Sequence, residues 1–150
     1  NYKKNYKNKR LNDISTVETI SGAAFFLSKK IFNELNGLNE KLFWMEDIDF
    51  SIRLNKAGYK TYYLPSTKII HFSGKSAEKN YKVAISNQLL SKIKFFKIHH
   101  SKLSASVILF SVLLVSLIKS IIIFFISPFS KIYRKKLGAY LYTIRSLLNI

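Results

Sequence analysis

Acidic residues crowd into one short stretch of the sequence, at Glu46, Asp47 and Asp49, directly after the aromatic pair Phe43-Trp44. A carboxylate in such a cluster could act as a general base that removes a proton from an attacking hydroxyl. A neighbouring carboxylate would then hold that hydroxyl or a metal ion. Adjacent acids at a helix start also complement the helix dipole and cap free N–H groups. The pair by itself therefore leaves a catalytic and a structural interpretation open.

The segment before the acids predicts a strand followed by a short helix. Ala23–Leu27 is an apolar run of the length expected for a buried strand. Ser28 can cap the helix that follows. Gly37 stands where a helix C-terminus favours a left-handed residue, and a turn follows it through Glu40. These elements would deliver the chain to the acidic cluster.

The segment after the acids predicts one more helix and two strands. Asp47–Ala57 has apolar residues at helical spacing and ends before Gly58. Lys60–Leu64 and Lys68–Phe72 read as strands, the first stopped by Pro65. A loop over 73–76 follows. The sequence thus predicts three regions: a basic polar arm (1–15), an α/β unit (16–80) and a basic, apolar helical tail (81–150).

The order of the motifs resembles the acceptor half of family 2 glycosyltransferases, particularly rhamnosyltransferase-like and galactofuranosyltransferase-like members. The resemblance covers roughly residues 17–76 and rests on the ordered set Ser21-Gly22-Ala23-Ala24, Asn36-Gly37-Leu38-Asn39-Glu40, Phe43-Trp44-Met45-Glu46-Asp47-Ile48-Asp49, Arg53, Gly58-Tyr59, Pro65 and His71. It implies the C-terminal half of a GT-A (nucleotide-diphospho-sugar transferase) fold, followed by membrane-associated helices. It also implies inverting transfer from a nucleotide-sugar donor to a glycan or lipid-linked acceptor in bacterial surface polysaccharide synthesis.

The resemblance assigns roles to individual residues. Asp47 would be the catalytic base, and Glu46 would shape the acceptor pocket or hold its hydroxyl. His71 would help to bind a divalent metal (Mg or Mn) or the donor diphosphate, with the rest of the metal site in an N-terminal half. Substrate contacts would come from Trp44, Glu18, Gly22 and Asp49. Trp44 could stack on a sugar or nucleotide ring or anchor its loop in the core, and the core is favoured. Arg53 is predicted to pair with a nearby acid.

The sequence also departs from the family pattern. Asn39 stands where relatives usually carry an acid, so a contact made by that acid would be neutral here. No Asp-X-Asp motif precedes the acceptor motif, which is the segment 43–49. Asp47-Ile48-Asp49 has the Asp-X-Asp spacing but lies within the acceptor motif, so we do not interpret it as the donor metal site. We therefore expect a fragment that lacks the donor-binding half and is inactive alone.

The net charge of the chain limits the kinds of partner that we expect it to bind. Its 25 Lys and Arg residues against 8 Asp and Glu give a net charge of +17, and all eight acids lie within residues 13–78. Such an excess needs a polyanionic neighbour. Because the purely basic part flanks the most apolar part, an anionic membrane is favoured over nucleic acid. The expected location is the cytoplasmic face of a bacterial inner membrane.

The apolar stretch 103–126 carries one charge, Lys119. As a helix it would be about 36 Å long, enough to cross the hydrocarbon core of a bilayer. Its serines fall largely on one side, which a helix lying in the interface would also show. The sequence leaves these two orientations open. Pro128 ends the run, and Lys131, Arg134, Lys135 and Lys136 then begin a basic amphipathic helix.

Two functions of different classes fit this organisation. One is the glycosyltransferase fragment, and the alternative is a non-catalytic membrane-bound scaffold derived from such an enzyme. A nucleic-acid-binding protein is the weakest candidate, because no aromatic stacking platform or known motif accompanies the charge. The absence of Cys excludes disulfides and thiolate metal sites.

Overall fold

Helices make up most of the structure, a computed structural model that describes residues 12–72 and 80–149. In chain order the elements are β1 (Ser15–Val17), α1 (Lys29–Glu34), α2 (Glu46–Lys56), β2 (Thr61–Tyr63), α3 (Tyr81–His99), α4 (Lys102–Ile126), a 3₁₀ turn (Ser127–Phe129) and α5 (Lys131–Leu148). The prediction of a helical tail is confirmed, as are both predicted helices of the middle region.

One antiparallel pair, β1 with β2, forms the sheet of the described residues. Ser15 lies opposite Tyr63 and Val17 opposite Thr61. The strand predicted within Lys60–Leu64 is therefore confirmed. Its partner β1 was not predicted, because its three residues fall at the edge of the polar arm and are too few to show alternation.

The predicted strand over Ala23–Leu27 is wrong, because this segment forms a turn and irregular chain. Ser21 accepts hydrogen bonds from backbone N–H groups that a strand would pair with a neighbouring strand. Its carbonyl accepts from the Ala24 N–H at 3.2 Å, and its hydroxyl accepts from the Ala23 N–H at 3.3 Å. Phe26 is fully exposed, so the apolar run does not enter a core as a unit.

The predicted strand over Lys68–Phe72 is also wrong. These residues have no regular secondary structure, and Ile69, Ile70 and Phe72 are all exposed. A strand is stable only when its backbone groups are paired, and within the described residues the sheet ends at β2. The predicted loop over 73–76 lies outside the described residues. Both α and β elements are present, but the GT-A fold stays a prediction.

Helix α1 begins and ends with local caps. The Ser28 hydroxyl accepts from the Lys30 N–H at 3.2 Å, which confirms the predicted N-cap. At the other end the Gly37 N–H donates to the Phe32 carbonyl at 2.8 Å, as in a Schellman motif. Asn36 and Gly37 both have left-handed backbones, with φ of 58° and 63°. Gly37 is further constrained because a Cβ there would lie 3.1 Å from the Phe32 ring.

Contacts divide the structure into two units. The first contains the described residues up to Asn39 together with Asp47–His71, and the second contains Glu40–Glu46 and the described residues from Phe72 onward. The core of the first unit is Phe50, which is fully buried. Its ring centroid lies 5.7 Å from that of Phe32 and 6.3 Å from that of Phe25. The predicted boundaries near residues 15 and 80 stay a prediction.

Arg53 of α2 joins the first unit together. Its Nε and Nη2 donate to one oxygen of the buried Asp49 at 2.9 and 2.7 Å. Its guanidinium also donates to the Leu35 carbonyl and, at 2.8 Å, to the Gly37 carbonyl. The Leu35 carbonyl belongs to the C-cap of α1 and the Gly37 carbonyl to the turn that follows it, so neither has a partner within that helix. The predicted pairing of Arg53 with an acid is thus confirmed.

Helices α3, α4 and α5 pack against one another in the second unit. Short connections at 100–101 and 127–130 make each consecutive pair antiparallel. Lys136 lies 5.2 Å from the Tyr81 ring centroid, so the N-terminal ends of α3 and α5 lie together. The bundle core is centred on Ile93, Val112 and Leu147.

We expect Asp49→Asn to lower the free energy of unfolding by about 3 kcal/mol, because it leaves the Arg53 charge without its buried partner. Chemical denaturation followed by circular dichroism measures the change. Asp13→Asn, which removes an exposed carboxylate, is the matched control and should change stability by less than about 0.5 kcal/mol. Equal stability of the two variants would contradict a structural role for the ion pair.

Candidate active site

The Asp47 carboxylate is held from two sides at the start of α2. Oδ1 accepts from the Ile48 N–H at 2.8 Å, and Oδ2 accepts from the Gly22 N–H at 2.8 Å. The structure thus brings together two residues that the sequence placed in the site. A carboxylate has about four lone-pair positions, so these two bonds orient Asp47 and leave acceptor capacity for a substrate proton.

Asp47 is the end of a regular series of contacts between α2 and the chain after β1. Along one face of α2, Asn55 donates to the Glu18 carbonyl at 2.9 Å, and the Ser51 hydroxyl accepts from the Ile20 N–H at 3.0 Å. Asp47 then accepts from Gly22. Every fourth residue of the helix therefore binds every second residue of segment 18–22.

This pairing works because the two spacings nearly match. Four residues of α-helix advance about 6.0 Å, and two residues of extended chain advance about 6.6 Å. Ser51 sits at the centre and is fully buried. Its hydroxyl also donates to the Asp47 carbonyl at 2.7 Å, one turn earlier in the helix. The position of the Asp47 carboxylate is thus fixed by both its own bonds and those of Ser51.

Glu18 and Gly22 enter this arrangement through their backbones. Glu18 is exposed, and its carbonyl receives the Asn55 contact. A Cβ on Gly22 would lie 3.5 Å from Asp47 Oδ2, which is an ordinary contact. Neither contact requires the particular side chain at these positions. Substrate binding by Glu18 and Gly22 stays a prediction.

Asp49 points away from the face that holds Asp47. It is buried, with 2% of its side chain exposed, and forms the ion pair with Arg53. Its carboxylate therefore binds Arg53, which in turn binds the carbonyls at and just after the end of α1. Substrate contact by Asp49 stays a prediction. In the structure its buried side chain offers no exposed surface for such a contact.

Trp44 and Glu46 belong to the second unit, in segment 40–46. The Phe43 N–H of this segment donates to the buried Ser91 hydroxyl on α3 at 2.8 Å. Trp44 has a left-handed backbone with φ of 78°, a conformation that is unfavourable for a bulky residue. Its side chain is 43% exposed and lies 6.1 Å from the Phe43 ring, so it is not a core anchor.

Glu46 has one carboxylate oxygen, Oε2, that is buried without a hydrogen-bond partner among the described residues. A buried oxygen in this state is unfavourable unless a donor reaches it. Such a donor could be a substrate hydroxyl, the role predicted for Glu46.

His71 is exposed and lies in no strand. Among residues 12–72 and 80–149, no three His, Cys, Asp or Glu side chains cluster as a metal site would require. The described residues therefore do not fit a divalent metal by themselves. The role of His71 toward metal or diphosphate stays a prediction.

Comparison with known proteins identifies the family. The sequence matches the family described as Glycosyl transferase family group 2 over residues 6–147. The chain belongs to this family. The sequence-based prediction of a family 2 glycosyltransferase is thereby confirmed, and the match includes the helical tail as well as the acceptor motif.

The curated relatives of this glycosyltransferase chain include two from Mycobacterium tuberculosis, strains CDC 1551 / Oshkosh and ATCC 25618 / H37Rv. Both are named N-acetylglucosaminyl-diphospho-decaprenol L-rhamnosyltransferase and are 34% identical to this chain over 58 residues. The match covers 38% of this chain but only 19% of each relative. No solved structure matches the chain significantly.

Sequence reasoning missed Ser51, Asn55 and Ser91, which bind the backbone of segment 18–22 and of Phe43. The signal for the first two was available, since Asp47, Ser51 and Asn55 recur every four residues and form a polar stripe along α2. A polar stripe usually faces water, so only the structure reveals that it binds backbone. Ser91 gave no comparable signal, because it is one of several polar residues in its part of α3, beside Gln88, Lys92 and Lys94.

We expect Ser51→Ala to release segment 18–22 from α2. The Ile20 N–H loses its acceptor and should exchange with solvent faster, and the Gly22 N–H should follow because the segment is held jointly. Amide hydrogen exchange measures both rates, and the unfolding free energy should fall by about 1–3 kcal/mol.

Asn55→Ala is the matched control, since it removes a donor to a carbonyl and leaves both N–H acceptors in place. Unchanged exchange at Gly22 in Ser51→Ala would show that Asp47 holds the segment without help from Ser51.

Proposed function

We propose that this chain is the acceptor-side part of an inverting glycosyltransferase, with Asp47 as its general base. The donor is a nucleotide sugar, and the acceptor is a glycan or a lipid-linked sugar in bacterial surface polysaccharide synthesis. The observation that carries the proposal is the Asp47 carboxylate, oriented by two backbone N–H groups with lone pairs to spare. The lipid-linked acceptor is suggested by the name of the Mycobacterium tuberculosis relatives.

The proposed reaction is a single displacement at the anomeric carbon. Asp47 takes the proton of an acceptor hydroxyl as its oxygen forms the new glycosidic bond. The bond to the nucleoside diphosphate breaks at the same carbon, and the diphosphate leaves with that electron pair. Attack from the face opposite the leaving group inverts the configuration. The buried Oε2 of Glu46 supports a role in holding an acceptor hydroxyl.

The fixed orientation of Asp47 supports catalysis by proximity. A base that is held before the substrate arrives does not lose conformational freedom in the reaction, and correct placement contributes much of the rate enhancement of enzymes. A divalent metal, when bound, would neutralise charge on the leaving diphosphate. The described residues do not hold one alone, so no step of this chain depends on it.

The 150-residue chain alone is proposed not to turn over. The sequence contains no Asp-X-Asp motif ahead of its acceptor motif, so it supplies no donor metal site of the usual kind. Activity is expected when this chain is joined to a nucleotide-sugar-binding half. That joined enzyme is the protein in which the role of Asp47 is tested.

Attachment to the cytoplasmic face of a bacterial inner membrane is part of the proposal. Within the described residues one helical stretch, Lys102–Phe129, is long and apolar enough to cross a membrane, and 22% of its most apolar window is buried. A core helix of a water-soluble protein would be largely buried. The basic residues around this helix support contact with anionic lipid.

Asp47→Asn in the joined enzyme should lower kcat by at least about a hundredfold, the scale expected for loss of a general base. Steady-state kinetics with a nucleotide-sugar donor measures the effect, and circular dichroism checks the fold. Glu34→Gln removes an acid on α1 and is the control for a change of charge, with kcat expected to stay near normal. Near-normal turnover by a folded Asp47→Asn enzyme would exclude Asp47 as the base.

The protein should pellet with bilayers, and salt should weaken this association without reversing it. Roughly twenty apolar side chains that leave water at about 1.5 kcal/mol each outweigh the cost of Lys119 and the serines. The cations at 131 and 134–136 should add about 1 kcal/mol each on anionic lipid. Sedimentation in 1 M salt, where the screening length is about 3 Å, tests the electrostatic contribution. Sedimentation in detergent tests the apolar contribution. Complete release by salt alone would contradict insertion of the apolar helix.

A further inference from the structure

Helix α4 has its large apolar side chains on the outside of the bundle. The residues that α4 buries against α3 and α5 include small ones, Ala105, Ser116 and Ser120, together with Val112 and Ile123. A stripe at spacings of three and four residues faces outward instead and consists of Leu103, Val107, Phe110, Leu114, Leu117, Ile118, Ile121, Phe124 and Phe125. Small residues at helix contacts and large ones outside are the pattern of a bundle in lipid.

The apolar surface continues from α4 onto α5. A groove of about 370 Å³ runs between the two helices. Its lining includes Ile121, Phe125, Leu137 and Leu141, and one polar residue, Ser120. Together with the outward stripe, which shares Ile121 and Phe125 with the groove, this makes a continuous apolar face, and such faces mark contacts with a membrane or a partner.

Charges decide how this face can meet a membrane. Residues 80–149 carry eleven Lys and Arg residues and no acid. Exposed cations are distributed along both helices that pack on α4: Lys82, Lys92, Lys94 and Lys97 on α3, and Lys131, Arg134, Lys135 and Arg145 on α5. A surface so charged fits the phosphates of an anionic leaflet.

A transmembrane orientation of α4 conflicts with this distribution. α3 is joined to α4 by only two residues and packs along it, so it would enter the hydrocarbon too. Lys92 lies two residues from the midpoint of α3, or about 3 Å along its axis. Exposed lysines near a bilayer centre are strongly unfavourable. An orientation parallel to the membrane surface keeps Lys92 and Lys94 at headgroup level along the whole helix.

Both ends of α4 also carry cations, Lys102 at its first residue and Lys131 just beyond the 3₁₀ turn. Lysines also lie over tyrosine rings, Lys119 at 5.6 Å from Tyr140 and Lys136 at 5.4 Å from Tyr133. Tyrosine and lysine are typical of the interface between lipid and water. Because both ends of α4 are cationic, an orientation that places both ends at the same anionic surface is favoured.

We infer that α3–α5 form a monotopic membrane anchor in which α4 lies in the plane of one leaflet. The outward stripe of α4 and the adjoining groove face the acyl chains, and the exposed cations of α3 and α5 contact lipid phosphates. This inference rests on the membrane attachment proposed above and specifies its geometry. It is independent of the role of Asp47.

Single cysteines test the orientation cleanly, because the chain has no native Cys. Lys102→Cys and Lys131→Cys mark the two ends of the apolar stretch. A membrane-impermeant maleimide is applied to right-side-out spheroplasts and to inverted inner-membrane vesicles that contain the full chain. We expect both cysteines to react in inverted vesicles and neither in spheroplasts. Reaction of the two cysteines from opposite sides would overturn the inference and establish a spanning helix.

A second measurement gives depth. Fluorophores on cysteines at Leu103, Leu114 and Phe125 are quenched by lipids that carry bromine at known positions of the acyl chain. The same shallow depth at all three sites is expected for a helix in the plane, whereas a deepest position at Leu114 would overturn it. Recovery of the protein in the soluble fraction would instead refute the attachment itself, and would leave the test of Asp47 unaffected.

Discussion

The near equality of two backbone spacings fixes the catalytic candidate in place. Along α2 one turn separates Asp47, Ser51 and Asn55, and this advance is close to that of every second residue in segment 18–22. Each side chain therefore reaches one backbone group without strain in either partner. The segment gains partners for backbone groups that lack a strand neighbour, and α2 gains a fixed carboxylate at its start. Neither half of the arrangement can be ordered without the other.

The opposite side of α2 meets a different requirement. The end of α1 leaves carbonyls without helical partners, and the Arg53 guanidinium donates to one of them, that of Leu35, and to the Gly37 carbonyl in the turn that follows. Asp49 neutralises that guanidinium, so the cation can stay largely buried. Tyr59 adds a second tie, because its hydroxyl donates to Glu34 of α1 at 3.0 Å. This bond is the main reason why the pKa of Tyr59 is raised. Two acids that are two residues apart in one motif thus have different partners, since helical geometry points Asp47 and Asp49 to different sides.

The parts of this structure that follow from local chemistry could be predicted from sequence. Ser28, Gly58 and Pro128 mark helix boundaries because a cap, a left-handed residue or a missing N–H acts within a few residues. The failures are non-local. Ala23–Leu27 and Lys68–Phe72 have strand composition, but a strand needs a partner with free backbone groups, and composition does not show whether one exists. The position of Asp47 was predicted from its motif. What holds it is partly distant in sequence: the Gly22 N–H lies 25 residues from Asp47, and the Ile20 N–H lies 31 residues from its acceptor Ser51.

Helix α4 shows the same limit in another form. Its sequence reveals a side rich in serine and a side rich in large apolar residues, and in water the serine side would face outward. The structure turns Ser116 and Ser120 into the bundle, where small side chains let helices approach closely. Water would penalise the outward stripe of Leu, Ile and Phe that results, whereas acyl chains would not. The packing of α3–α5 therefore leaves on α4 an exposed face of large apolar side chains, beside two helices whose charged residues are all cations.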